Sequence, residues 1–354
     1  MNRKVLLSLL LIILVILPVS ALGSREEEIA VAEDRTTIEY VDDLGRTVEI
    51  SYPLDRLSPS GNLAQMVMYA LCPEKMVGLA KPLSANAMEF MLPEICELPA
   101  FGNFFANKGN INKEALIIAH PDVFVDIGER KNGMEDSFEN LEKQLGIPVI
   151  FIEGFLENIG DTIRELGKLT CLEDRAEVLA AYADRIIDTA VENRSLIKEP
   201  GTAYYSSSPD GLDGFPTGSF HGEILEFVGL ENVIPATFSS GGNRISIEQL
   251  MLWNPDIMLL QNADAYRTMT TDERYASLYA VKNGRVYLIP ILPYPFLSNP
   301  PALNRLIGIL WLGKISYPEL YTDMDLESEM KTFYELFFHY ELEDEEIDRI
   351  LNRI

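Results

Sequence analysis

The chain has 354 residues, 47% of them apolar, enough to bury a sizeable core, to suggest about two domains and to exclude a disordered protein. With 55 acidic against 29 basic side chains its net charge is −26. Such a surface repels nucleic acid and anionic lipid, so an anionic ligand would need a local cluster of basic groups.

Residues 1–21 read as a cleaved export signal. Arg3 and Lys4 precede a thirteen-residue, mainly apolar run from Val5 to Leu17, and PVSA ends with Val19 and Ala21 at the spacing signal peptidase prefers. An uncleaved anchor is the alternative, but the run falls short of the ~20 residues that span a bilayer, and no Cys follows it for lipidation. Export would permit disulfides. Three cysteines leave one unpaired at least: Cys72 and Cys96 pair, or all three remain thiols.

Residues 22–37 form a charged tether. TIEYVDDLGRTVEIS, with alternating apolar residues around Asp43, Leu44 and Gly45, predicts a β-hairpin. Strands and helices then alternate: strand RLSPS, helix NLAQMVMYAL, strand KMVGLA, helical ANAMEFMLPEI, helix INKEALIIAH, strand DVFVDI, helix MEDSFENLEKQL and strand PVIFI. That order implies a parallel sheet covered by helices. Residues 157–198 carry no strand signal. Ala176, Leu179, Ala183, Ile186, Ile187 and Ala190 instead make an apolar stripe along one helix of about 26 residues, about 39 Å long. Alternation resumes with strand TAYYSS, a helix over SFHGEILEFVG capped by Ser219, helix ISIEQLMLWN, strand DIMLLQN, helix TDERYASL and strand RVYLIPI. The helix ALNRLIGILWLGK and two acidic helices close the chain.

The expected fold is therefore α/β: two Rossmann-like lobes with mainly parallel sheets, over residues 38–156 and 199–315, joined by one long rigid inter-lobe helix within 157–198 and followed by a helical extension over 316–354.

One phrase occurs twice. EALIIAHPDVFVD at Glu114 and EQLMLWNPDIMLLQ at Glu248 share Glu, Leu two residues on, and a Pro-Asp before an apolar strand, 134 residues apart. Packing accounts for Leu116, Leu250 and the Pro-Asp turns. It accounts poorly for Glu114 and Glu248, which the helix dipole favours by only about 0.3 to 1 kcal/mol and which Asp or Ser could replace.

Ligands of open α/β sheets bind beyond the carboxyl ends of the strands. Here that groups the loops SGN (60–62), GERKNG (128–133), SSSPDGLDGFPTGSFHG (206–222), NADAYR (262–267) and LPYPFLSNPP (292–301), with FGNFFANKGN (101–110) as a further wall. They carry Phe104, Phe105, Lys108, Arg130, Tyr205, Phe215, Tyr266 and Arg267. Tyr294 and Phe296 follow, with Arg305 in the next helix. Such a mixture suits a large ring-bearing ligand with anionic edges. Of the three histidines only His221 sits beside this cleft, in the first turn of its expected helix, so a bare zinc or manganese site is not expected. No GxSxG, HExxH, phosphate loop or supported Cys-His arrangement is present, and no enzyme is expected.

Together the export signal, hairpin, two α/β lobes, long helix and paired Glu-to-Pro-Asp units resemble the periplasmic substrate-binding proteins of ABC importers for siderophores, haem and cobalamin. The resemblance runs from Ile38 to about Lys314. It implies a monomer with no intrinsic cofactor that captures a metal chelate, a ferric siderophore first and cobalamin or haem as alternatives. It would deliver the chelate to an ABC permease dimer with its ATPase subunits. Glu114 and Glu248 would pair with arginines on the two permease subunits, and His221 could complete the coordination of a chelated metal. A sensor module with the same fold would need neither Glu.

Overall fold

The computed structural model describes residues 36–104, 110–238 and 244–352. The expected signal, the tether up to residue 35, Phe105 and Lys108 lie outside them. No helix among the described residues is long and apolar enough to cross a membrane.

Strands β1 (Thr36–Val41) and β2 (Thr47–Tyr52) pair antiparallel with Ile38 opposite Ile50. Their turn is closed by the Asp42 carboxylate, which accepts from the amides of Leu44 (3.1 Å) and Arg46 (3.0 Å), and by Gly45 at φ +83. The first half then runs through β3 (Leu57–Pro59), α1 (Asn62–Leu71), α2 (Ala85–Met88), α3 (Pro93–Cys96), α4 (Lys113–Ile118), β4 (Val123–Gly128), α5 (Met134–Leu145) and β5 (Val149–Glu153). Strands β3, β4 and β5 form a parallel sheet in that order. Residues 123–127 of β4 are all buried, as a strand covered on both faces requires.

Helix α6 (Ile159–Thr170) packs along α7 (Glu173–Leu196), whose 24 residues span about 36 Å. Gly167 permits this approach, because a Cβ there would overlap Ala176. The whole apolar stripe read from the sequence, Ala176 to Ala190, is buried.

The second half contains β6 (Thr202–Ser206), α8 (Glu223–Phe227), β7 (Glu231–Asn232), α9 (Ile247–Trp253), β8 (Ile257–Leu260), α10 (Ala263–Thr271), α11 (Tyr279–Lys282) and β9 (Val286–Leu288). Its sheet is parallel throughout, in the order β7-β6-β8-β9. Helix α12 (Asn304–Ser316) is buried almost all round, because α7 and α13 (Leu326–Phe338) cover it, and α14 (Asp344–Ile350) ends the chain. Through the Tyr69 hydroxyl, which donates to the Phe338 carbonyl at 2.7 Å, the C-terminal extension is tied back to α1.

Four local expectations change. KMVGLA touches its neighbours only at Met76 and Leu79, one residue near each end, so it forms no strand. NADAYR is not a loop but the start of α10, since the Asn262 side chain caps the amides of Asp264 and Ala265. Of TDERYASL only a 3-10 turn at Glu273–Tyr275 forms. Helix α8 begins at Glu223, and the Ser219 hydroxyl accepts instead from the Gly222 amide, so His221 lies in the turn before the helix. All three cysteines are free thiols, and burial pushes that of Cys72 up to about 12.

Candidate ligand cleft and docking face

The duplicated phrase folds into the same unit twice. Asn112 and Ser246 cap α4 and α9 by accepting from the amides of Ala115 and Gln249, each at 3.1 Å. Leu116 and Leu250 are fully buried. Both helices end where His120 (φ 45) and Asn254 (φ 41) turn left-handed ahead of Pro121 and Pro255. Asp122 and Asp256 then hydrogen-bond backbone amides at the start of the adjacent parallel strand. Capping, core and turn are thereby assigned to other residues. Glu114 and Glu248 stand exposed in the first turn, and among the described residues neither forms an ion pair. The Glu248 carboxyl is held below its ordinary range by its own amide and by Ser246.

At the carboxyl ends of both sheets lies a cleft of about 690 Å³. The first half contributes Asn62, Gln65, Lys81, Leu83, Ser84 and Asn86. From the second come His221, Gln261 and the Pro-rich loop including Tyr294 and Asn299. Gln65 is buried, and its Oε1 accepts from the amides of Ala80 (2.8 Å) and Lys81 (3.1 Å), which fixes the Lys81 loop at the rim. A recess of about 340 Å³ adjoins, lined by Ser60, Asn62, Asn103, Asp126, Lys131 and Phe220 among others. Helix α1 points its N-terminus at both: Gly61 is extended and gives no side-chain cap, so first-turn amides remain available as donors. In the recess, burial raises the Asp126 carboxyl to about 6, against the opposing hydrogen bond from Ser60.

His221 stacks on Phe215 at 4.8 Å, and its Nδ1 meets the Ser298 hydroxyl. Burial, then the nearby Arg305 charge, lowers its pKa and keeps the imidazole neutral. In the tautomer whose Nδ1 donates to Ser298, Nε2 carries the lone pair a metal or donor hydrogen needs.

Arg305 lies behind the cleft wall. Its Nη1 donates to Glu223 at 2.6 Å, and the guanidinium sits 5.6 Å from the Phe220 ring centre. Nε and Nη2 are buried without a hydrogen-bond partner. Arg305 also lines a space of about 10 Å³, at most the room of one water, with Leu63, Phe220 and Pro301 among others. Leu63 and Phe220 also line the recess, and Pro301 lines the cleft, so one layer of side chains separates the arginine from both. Gly308 brings α12 against this loop, since a Cβ there would overlap the Phe296 carbonyl.

Of the predicted ligand residues, His221 and Tyr294 line the cleft, and the Tyr294 hydroxyl meets the sulfur of the buried Met91 at 3.8 Å. The others do not line it. Phe104 packs on Phe138 and Phe124 in the core of the first half. Tyr205 and Phe296 are fully buried, because β6 is an inner strand and the Pro-rich loop turns Phe296 inward. Arg130 pairs with Glu135 on the surface, and Arg267, carried outward by α10, pairs with Asp264. Sequence reasoning missed Gln65 and Lys81, on no flagged loop, and Phe220 and Glu223, the neighbours of Arg305. SGN and SFHG, already marked as loops beside the cleft, were the available signal for Asn62 and Phe220.

A family model described as periplasmic binding protein matches residues 105–291, more than half of the chain, and the chain belongs to that family. It is thus a periplasmic substrate-binding protein of the ABC importer kind. A molybdate-binding protein of Haemophilus influenzae, MolA, is 27% identical over 261 residues, covering 65% of this chain and 70% of that one. An ABC transporter solute binding protein from Sulfurospirillum deleyianum superimposes with a TM-score of 0.81 at 26% identity, over 89% of this chain and 99% of the other. The structure of MolA bound to molybdate shares the fold, with a TM-score of 0.67 at 20% identity, over 87% of this chain and 99% of that one.

Proposed function

We propose that the protein captures an anionic metal complex in the cleft between its two halves, a ferric siderophore first, and delivers it to a permease dimer with its ATPase subunits. The absence of carboxylates carries this reading. In a chain with 55 acidic residues, none of the described residues lining the 690 Å³ cleft is Asp or Glu, Asp126 and Glu129 lying in the adjoining recess, whereas Lys81, His221, several amides and the uncapped end of α1 are there. The volume suits a chelate rather than a bare ion. Tyr294 supplies a flat face, and Nε2 of His221 a ligand for an open metal position. Glu114 and Glu248 dock the two permease subunits.

A second reading, a bare tetrahedral oxyanion held by the Lys81 side chain and the first-turn amides of α1, is favoured by the likeness to MolA. Titration of the purified protein with ferric catecholate and hydroxamate siderophores, haemin, cobalamin, molybdate and tungstate separates the two. Saturable binding of a chelate supports the first and of molybdate or tungstate the second. Failure of every one to bind at millimolar concentration overturns the anionic-ligand reading.

A further inference from the structure

The two docking helices share a second feature. Ile118 is 75% exposed and Leu252 is 78% exposed, the highest values among the exposed large apolar side chains of the described residues. They occupy the same place in the duplicated unit, four residues after Glu114 and Glu248 and two before the left-handed His120 and Asn254. At that spacing an aliphatic side chain lies one turn from the carboxylate on the same helix face, about 6 Å along the axis.

A single exposed aliphatic residue needs no explanation. Two at matched positions do, and the fold gives none. Leu116 and Leu250 already supply the buried contact of each helix, the caps belong to Asn112 and Ser246, and the turns to Pro121 and Pro255. Nothing in the sheets requires Ile118 or Leu252 to be apolar. A duplicated pair of one exposed charge and one exposed aliphatic group matches a partner that presents the same socket twice, as a two-fold dimer does.

We infer that each docking knob is bipartite: Ile118 and Leu252 enter apolar pockets beside the cationic groups that receive Glu114 and Glu248, on the two subunits of the permease dimer. The carboxylates set orientation and encounter rate, while the aliphatic groups hold the docked complex, because apolar burial is not screened by salt. The inference rests on the proposed docking role of the two glutamates.

The test measures docking of Ile118→Ser, Leu252→Ser and the double variant to the importer's permease–ATPase complex in nanodiscs, alongside ligand titration and thermal unfolding of each free protein. Leu196→Ser is the control, an exposed apolar residue on α7 outside the duplicated unit. Each single variant should dock about tenfold more weakly and the double variant about a hundredfold, the loss expected for a buried aliphatic side chain. Ligand affinity and unfolding temperature should match the parent, and the control should dock normally. Docking of the double variant within about twofold of the parent overturns the inference, as does an equal loss in the control. A parent that binds ligand but never docks sinks the importer reading and this inference with it. A parent that docks, with variants that dock equally well, sinks this inference alone.

Discussion

Asp122 and Asp256 make the same contact in the two halves of the chain. The Asp122 carboxylate accepts from the amides of Asp55 (3.0 Å) and Arg56 (2.9 Å), just before β3, and Asp256 accepts from the amide and hydroxyl of Thr202, both at 2.8 Å, at the start of β6. Each Asp thus ties the strand that follows it to the parallel strand beside it, and the Pro-Asp of the repeat is a structural stitch. Replacing either by Ala should cost about 1 to 3 kcal/mol, the loss for amides deprived of a charged acceptor. Urea unfolding of Asp122→Ala and Asp256→Ala measures it, and a change under about 0.5 kcal/mol in both would refute the stitch.

Charge reversal addresses the exposed half of the same unit. Glu114→Arg and Glu248→Arg should leave ligand affinity and stability close to the parent, because both side chains are exposed and the contacts of Glu248 stay within the first turn of its own helix, with its own amide and Ser246. Importer-dependent uptake should fall by at least tenfold with either reversal and be lost with both. Normal uptake by the double reversal would return the duplicated glutamates to a merely local role.

Arg305 calls for a choice of substitution. Either substitution leaves the half-buried Glu223 without its partner, but Ala would also leave a cavity, and the lost stability would obscure any loss of binding. Met keeps most of the volume. Arg305→Met should retain the unfolding temperature within a few degrees and, because a layer of side chains separates the guanidinium from the cleft, weaken binding of an anionic ligand by only about 0.5 to 1 kcal/mol, through the loss of one positive charge at a distance. Calorimetric titration with whichever anion the parent binds decides it, and unchanged affinity would leave the guanidinium a purely internal partner of Glu223.

Tyr294 can be divided into its ring and its hydroxyl. Tyr294→Phe keeps the ring at the cleft wall and near Phe338, so ligand binding should change by less than about 0.5 kcal/mol, whereas Tyr294→Ala should weaken it by about 1 to 3 kcal/mol. Fluorescence titration of the two variants reads the difference. Equal affinities for parent and Ala variant would place the ligand away from the Pro-rich loop.

Asp126 gives a pH signature. Its pKa of about 6 in the fold exceeds the ~3.9 of an unfolded Asp, so below pH 4 both states hold the proton. Between pH 4 and 6 the unfolded chain releases a proton the folded chain retains, and stability falls as pH rises, by up to about 3 kcal/mol. Asp126→Asn should remove this fall. Urea unfolding of parent and variant from pH 4 to 7 tests it: a constant difference in stability across the range would mean that Asp126 keeps an ordinary pKa.

The hairpin, both parallel sheets, the long helix and the duplicated unit were legible in the sequence because each rests on constraints a few residues long. A cap at Asn112 or Ser246, a buried Leu four residues later, and a Pro-Asp ahead of an apolar strand lie within about a dozen residues, so pattern and backbone chemistry suffice. NADAYR misled for an equally local reason: Asn and Asp favour loops, yet Asn262 used its side chain to start a helix.

Which loop residues would face the cleft was decided only by tertiary packing. His221 is oriented by Ser298, 77 residues on, and Arg305 is held by Glu223, 82 residues back. Tyr205 and Phe296 share the aromatic character of Tyr294 but are consumed by the core, while Lys81 reaches the rim because Gln65 holds its loop. Burial and pairing depend on which distant segments come together, and no window of sequence contains both partners. The residue types that can bind an anionic ligand are therefore written in the chain, whereas their arrangement into a cleft whose described lining holds no carboxylate exists only once both sheets and α12 have packed.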